Sequence, residues 1–226
     1  MEIKYTTFIE KGTRSSNQDV FKVIICPEQH KALFIVCDGM GGHAMGDVAA
    51  QTVCEAIASY WKSNLQKTDC ETKIKAACRT ASMAMDKRAD NLNRVEMGST
   101  LVLASIEGNN VTIAHCGDSR CYLLRGGDMV YQTKDHVGFS FGWEVVNKCF
   151  FSYRAEIAQP DIEQFELRPG DRLFLCSDGV YKAIAPEILK ARLMDNKPLE
   201  EVVDVIKFLC EKNSDDNYTG ILVQMD

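Results

Sequence analysis

The chain has 226 residues, 46% of them hydrophobic and 26% charged, enough for one sizeable core and ordinary for a folded domain. Acidic residues outnumber basic ones, 32 to 26, for a formal net charge of -6, so no basic face for nucleic acid or anionic membranes is expected. No apolar run approaches the roughly 20 residues that cross a bilayer.

In chain order, Met1–Glu10 lacks the basic stretch and apolar core of a secretory leader. Short apolar runs rich in Val, Ile, Leu and Phe predict strands at Val20–Cys26 and Leu33–Cys37. Two helices follow. Asp47–Trp61 sets Val48, Val53, Ala56, Ile57 and Tyr60 on one side; Glu71–Asn91 sets Ile74, Ala77, Cys78, Ala81 and Met85 along one stripe. Asp69 is placed to cap the second. Further strands are expected at Thr100–Ile106, Val111–Cys116, Cys121–Leu124, Met129–Tyr131, Phe165–Leu167, Leu173–Cys176 and Tyr218–Gln224. Asn109-Asn110 and Gly126-Gly127-Asp128 read as hairpin turns. Pro186 and Pro198 read as first-turn prolines opening helices at Pro186–Met194 and Pro198–Glu211. Strands with hairpin spacing and paired helices predict antiparallel sheet with helices on its faces.

The ten cysteines include Cys37, Cys116, Cys121 and Cys176 inside apolar runs, and no C-x-x-C pair occurs. They read as small buried apolar residues in a reducing, cytoplasmic setting.

Five aspartates stand at the ends of predicted strands: Asp19, Asp38, Asp118, Asp178 and Asp216. Asp38-Gly39-Met40-Gly41-Gly42-His43 follows a strand and precedes a helix, where glycines let backbone approach a ligand and leave carbonyls for a hard cation. Gly117-Asp118-Ser119-Arg120, Ser177-Asp178-Gly179 and Asp215-Asp216-Asn217 are each, taken singly, ordinary turn chemistry. Arg14, before Asn17-Gln18-Asp19, offers a two-pronged donor for a phosphate or serves a surface loop structurally. Recurrence lifts the set above its parts. Oxygen-rich donors of this kind suit Mg²⁺ or Mn²⁺ rather than zinc.

The words Arg14–Asp19 (RSSNQD), Phe34–Ala49 (FIVCDGMGGHAMGDVA), Gly98–Leu101 (GSTL), Ala114–Leu124 (AHCGDSRCYLL), Gln132–His136 (QTKDH), Gly170–Gly179 (GDRLFLCSDG) and Asp216–Val223 (DNYTGILV) occur in one order along nearly the whole chain. Together they resemble the metal-dependent protein serine/threonine phosphatases, the PPM or type-2C family, in its bacterial form. The resemblance implies an α+β fold, a four-layer αββα sandwich of two antiparallel sheets flanked by helices, as one catalytic domain over 1–226. It implies two metal ions, Mn²⁺ or Mg²⁺, with a third in bacterial members. Carried over by position, Asp38 bridges the two metals and Gly39 lends its carbonyl. Asp178 and Asp216 hold the first metal, Asp19 supports it through water, and Asp118 helps hold the third. Arg14 binds the substrate phosphate. The implied reaction is attack of a metal-bridging hydroxide on phosphoserine or phosphothreonine in a protein. A cognate Ser/Thr kinase is the implied signalling partner.

Three departures from the family pattern stand out. Gln18 replaces a common Glu and stays outside the ligand set. Met40 stands where animal-type members have His; His43 reads as a loop-packing or helix-start residue, leaving solvent or metal-bound water to protonate the leaving group. The stretch from His136 to Gly170 is short for a flap subdomain, and Asn147–Tyr153 (NKCFFSY) matches the usual word poorly. The aromatic stretch Gly138–Trp143 is either a loop packed on the core or a contact surface. Two rival functions remain: a PPM-fold binding module without catalysis, and a phosphatase of small metabolites.

Overall fold

The computed structural model describes residues 2–40, 45–67, 69–140 and 142–226. In chain order the elements are β1 (Ile3–Glu10), β2 (Asp19–Cys26), β3 (Lys31–Asp38), α1 (Gly46–Ser63), α2 (Cys70–Asp90), β4 (Gly98–Ser99), β5 (Leu101–Glu107), β6 (Asn110–Cys116), β7 (Arg120–Arg125) and β8 (Asp128–Gln132). Then follow β9 (Val137–Ser140), β10 (Trp143–Val146), β11 (Phe150–Phe151), β12 (Asp161–Glu166), β13 (Arg172–Cys176), α3 (Asp178–Tyr181), α4 (Pro186–Leu193), α5 (Leu199–Asn213) and β14 (Tyr218–Met225). Among the described residues no helix is long and apolar enough to cross a membrane.

One sheet has the order β1-β14-β13-β7-β8 and the other β12-β6-β5-β3-β2, with antiparallel neighbours throughout. The period-2 geometry of a strand explains why their central members are apolar on both faces. In β3, Phe34 and Val36 point inward to meet Leu173, Leu175, Ile221 and Val223 of the other sheet. The alternate residues, Leu33, Ile35 and Cys37, point outward against Val53, Ile57 and Trp61 of α1 and Ile74 and Ala77 of α2. Phe174 and Leu222 face outward against Val202, Ile206 and Cys210 of α5. Helix, sheet, sheet and helix form the four-layer sandwich expected from the family resemblance, and one-residue slips are barred because they would exchange two buried faces.

Helix ends follow local chemistry. The Asp69 carboxylate accepts from Thr72 N–H (3.1 Å), capping α2 as expected. Pro186 opens α4 in its first turn, but Pro198 is the residue before α5, whose first residue is Leu199. The β5–β6 turn falls on Gly108 and Asn109, one position before the expected pair, because Glu107 pairs with Asn110 and Gly108 takes φ +62°. Gly126 and Gly127 do form the β7–β8 turn, both with positive φ.

The cysteines among the described residues are free thiols, and Cys37, Cys116, Cys121 and Cys176 are buried. Burial pushes the Cys78 thiol up to about 12, as expected of a packing residue rather than a nucleophile. Trp61 closes the α1 side of the core, its indole N–H donating to Ser105 Oγ at 2.9 Å. Beneath it lies a fully buried ammonium: Lys73 Nζ sits 5.3 Å from the Trp61 ring centre and pairs with Glu107, which Lys31 also meets at 2.7 Å. Removing the carboxylate would leave Lys73 uncompensated away from water. Glu107→Gln is therefore expected to lower unfolding stability by about 3–5 kcal/mol in urea titration; a loss below about 1 kcal/mol would show that Lys73 is solvated in some other way.

Candidate metal and phosphate site

The β2 and β3 ends place Asp19 and Asp38 as cross-strand partners. Asp118 lies in the β6–β7 connection, Asp178 opens α3 with only Ser177 between it and β13, and Asp216 precedes β14. Arg14 comes from the loop between β1 and β2. Neighbouring strand ends from both sheets thus converge on one edge of the sandwich. A cavity of about 410 Å³ there is lined by Arg14, Asp38, Gly39, Asp118, Asp178 and Asp216. Asp19 does not line it. It is buried behind the wall, where Ser177 Oγ donates to its carboxylate at 2.7 Å.

The Asp-Gly pairs have a steric reason distinct from turn formation. A Cβ on Gly39 would lie 2.1 Å from the Gly46 carbonyl oxygen, and one on Gly179 would lie 2.0 Å from that of Asn217. Each glycine lets an aspartate-bearing chain end press against a neighbouring backbone. Asn217 clamps the Arg14 loop: its amide donates to the Lys11 (2.8 Å) and Ser16 (2.9 Å) carbonyls, and its oxygen accepts from Gln18 N–H (2.9 Å). Thr100 Oγ1 accepts from Asp38 N–H at 3.0 Å and bonds Ser119 Oγ at 2.7 Å, tying the Asp38 strand end to the Asp118 turn.

Electrostatically the cavity is a carboxylate cluster short of positive charge. Burial, then Asp19, Asp178, Asp118 and Asp216, hold the Asp38 carboxyl well above the usual range. Burial raises Asp19 to about 7 against hydrogen bonds from Ser177 and Thr219. Burial and Asp178 raise Asp118 to about 6, opposed by Lys182. Asp216 is also raised by burial. Among the described residues two cations pair with the cluster: Arg14 Nη2 meets Asp216 at 2.7 Å, and Lys182 Nζ meets Asp178 Oδ2 at 2.7 Å. Asp178 Oδ1 is buried with no hydrogen-bond partner among the described residues. A buried acceptor of this kind is costly unless something electropositive meets it. The oxygen-only donor set, with the Gly39 backbone beside it, fits hard divalent ions.

Lys182 lies outside the words singled out in the sequence, and Asn217 stands inside one of them without its clamping role being legible there. The i,i+4 spacing of Asp178 and Lys182 on one helical turn was the available signal. Gln18 and Met40 line the cavity. Gly41, Gly42, His43 and Phe141 lie outside the described residues. The short segment before β12 forms the β9–β10 hairpin and β11, not a larger subdomain. Val137, Glu144 and Val146 of that hairpin line the cavity. Phe139 and Trp143 are 82% and 77% exposed, so neither packs on the core.

A second donor cluster lies behind the Asp118 turn, where atoms of His115, His136 and Asp161 come within 4.8 Å of one another. Its hydrogen bonds argue against a metal. His136 Nδ1 accepts from Gly117 N–H (3.1 Å), so the ring proton is on Nε2, directed at Asp161 Oδ2 (3.1 Å). A metal on Nε2 would need that proton removed. Asp161 also pairs with Lys148. The stacked rings, 4.5 Å between centres, brace the Gly117-Asp118 turn instead.

The profile of the protein phosphatase 2C family matches residues 10–221. The chain belongs to this family. It is 29% identical over 210 residues to the serine/threonine protein phosphatase PstP of Mycobacterium tuberculosis, covering 85% of this chain but only 40% of that relative. It is 28% identical over 223 residues to the serine/threonine phosphatase stp of Listeria monocytogenes, covering 88% and 86%. The solved catalytic domain of the serine/threonine protein phosphatase PstP, in complex with 2 manganese ions, superposes with a TM-score of 0.82 at 28% identity and 99% coverage of both chains.

Two outcomes follow from the site's charges. In EDTA, Asp38→Asn removes one of several repelling carboxylates and is expected to raise unfolding stability by about 0.5–2 kcal/mol; a destabilisation would mean that the cluster is not under electrostatic strain. Burial lowers the His115 pKa below its ordinary value. Its contribution is therefore fully present above the ordinary histidine pKa and lost as pH falls through the lowered folded-state value, where the unfolded chain binds the extra proton. The stability difference between wild type and His115→Gln should shrink on acidification below about 6.5; a pH-independent difference would contradict this.

Proposed function

We propose that this chain hydrolyses phosphoserine and phosphothreonine in proteins with Mn²⁺ or Mg²⁺, as a single catalytic domain. The observation that carries the reading is the cavity itself: Asp38, Asp118, Asp178 and Asp216 share it with Arg14, and one buried Asp178 oxygen has no hydrogen-bond partner among the described residues. Membership of the family and the manganese-bound PstP neighbour support it.

Asp38, with Asp178 and Asp216, would hold two divalent ions, with the Gly39 carbonyl as a further donor. Asp19 supports them from behind through water, and Asp118 offers its carboxylate where the family sets a third ion. Bound ions would supply a hydroxide nucleophile near neutral pH and positive charge for the phosphoryl oxygens. Arg14 now balances Asp216; once that carboxylate is committed to an ion, the guanidinium is free to turn its paired donors to the phosphate. Its neighbours hold the loop ready, since Asn217 fixes both sides of it. The cysteines have no part in this chemistry, and protonation of the leaving group would fall to solvent or metal-bound water. A cytoplasmic setting opposite a Ser/Thr kinase suits such an activity.

A binding module without catalysis is the second reading, favoured by one observation: Arg14 and Lys182 already pair with Asp216 and Asp178. Purified protein should hydrolyse a phosphopeptide in Mn²⁺, lose turnover in EDTA or as Asp38→Asn, and lose about 10²-fold in kcat/KM as Arg14→Ala. Absence of metal-dependent turnover across several phosphopeptides would support the module, and a clear preference for a sugar phosphate would point to small metabolites.

A further inference from the structure

Asp118 and Asp178 face one another across the cavity, and the charge between them belongs to the chain. Lys182 Nζ lies 2.7 Å from Asp178 Oδ2 and 3.7 Å from Asp118 Oδ2. We propose that this ammonium is a tethered cation occupying the place of a third divalent ion, so that the chain works with two. The inference rests on the reading of the cavity as a metal-dependent phosphatase site.

Three features support it. The two oxygens of Asp178 are divided: Oδ2 accepts from Lys182, while Oδ1, buried and without a hydrogen-bond partner among the described residues, remains for an ion shared with Asp38 and Asp216. Lysine and ion thus use opposite sides of one carboxylate and do not compete. Other cations near the cavity are committed elsewhere: Arg14 pairs with Asp216 (2.7 Å), and Arg120 makes a two-pronged pair with Asp135 (2.9 and 2.7 Å) and stacks on the Tyr181 ring at 3.4 Å. Finally, Lys182 is held in place by its own turn. It caps the short helix that Asp178 begins, its N–H donating to the Asp178 carbonyl at 2.9 Å, and Gly179 seats that helix against Asn217. A tethered ammonium loses no translational freedom on binding, so its local concentration exceeds that of a free ion held by the same two groups. Glu144 of β10 lines the same cavity and adds to the negative field on the lysine.

The test counts ions. Equilibrium dialysis of the full chain against saturating Mn²⁺, with metal analysis, should give two ions per chain for wild type and for Lys182→Arg. Lys182→Met and Lys182→Gln should each give three, and adding Asp118→Asn to Lys182→Met should return the count to two. Lys182 is half-exposed, so neither truncation opens the core. Three ions on wild type, or two on both neutral variants, would overturn the inference while leaving the phosphatase reading intact. No bound ion on wild type would overturn both.

Discussion

Mutual repulsion among carboxylates packed at one edge of the sandwich is the constraint that organises this molecule. Asp19 and Asp38 are cross-strand partners; Asp178 and Asp216 add their charge to both, and Asp118 adds its own to Asp38. Left to themselves such groups would splay or take up protons. They are kept together because each sits at the end of a strand or the start of a helix rooted in a buried core. The stability lost there is repaid by what the cluster can bind, a usual exchange at functional sites.

The supporting contacts are local and specific. Gly39 and Gly179 admit backbone approaches that any side chain would block. Asn217 ties the Arg14 loop to the Asp216 strand, Thr100 with Ser119 ties Asp38 to Asp118, and His136 braces the turn carrying Asp118. Positive charge enters from opposite sides, Arg14 at Asp216 and Lys182 at Asp178 and Asp118. These placements differ: Arg14 is half-exposed and reaches from a loop, whereas Lys182 is placed by the helical turn that carries its partner.

Much of this was legible in the chain. Strands such as β3 are apolar on both faces because both are covered, and the run Leu33–Cys37 shows that directly. The aspartates were legible because they follow such runs. Other features were hidden for physical reasons. β1 mixes polar and apolar residues because it is an edge strand, and its pairing with β14 joins opposite ends of the chain. The β9–β10 hairpin leaves Phe139 and Trp143 exposed, so burial patterning has no hold on it. Pro198 suits the residue before a helix as well as its first turn. That Asp19 lies behind the cavity wall depends on Ser177, a partner 158 positions away. Lys182 carries no distinctive word, and its meaning arises only when β13, α3 and the β6–β7 turn are assembled.

The account stands on the claim that the carboxylate cluster, not the histidine pair behind it, is where divalent ions bind. Anomalous diffraction at the manganese edge from crystals grown with Mn²⁺ addresses this directly. The predicted result is two peaks in the cavity sharing the Asp38 carboxylate, one of them also held by Asp178 and Asp216. An empty cavity, or peaks confined to His115 and His136, would contradict it.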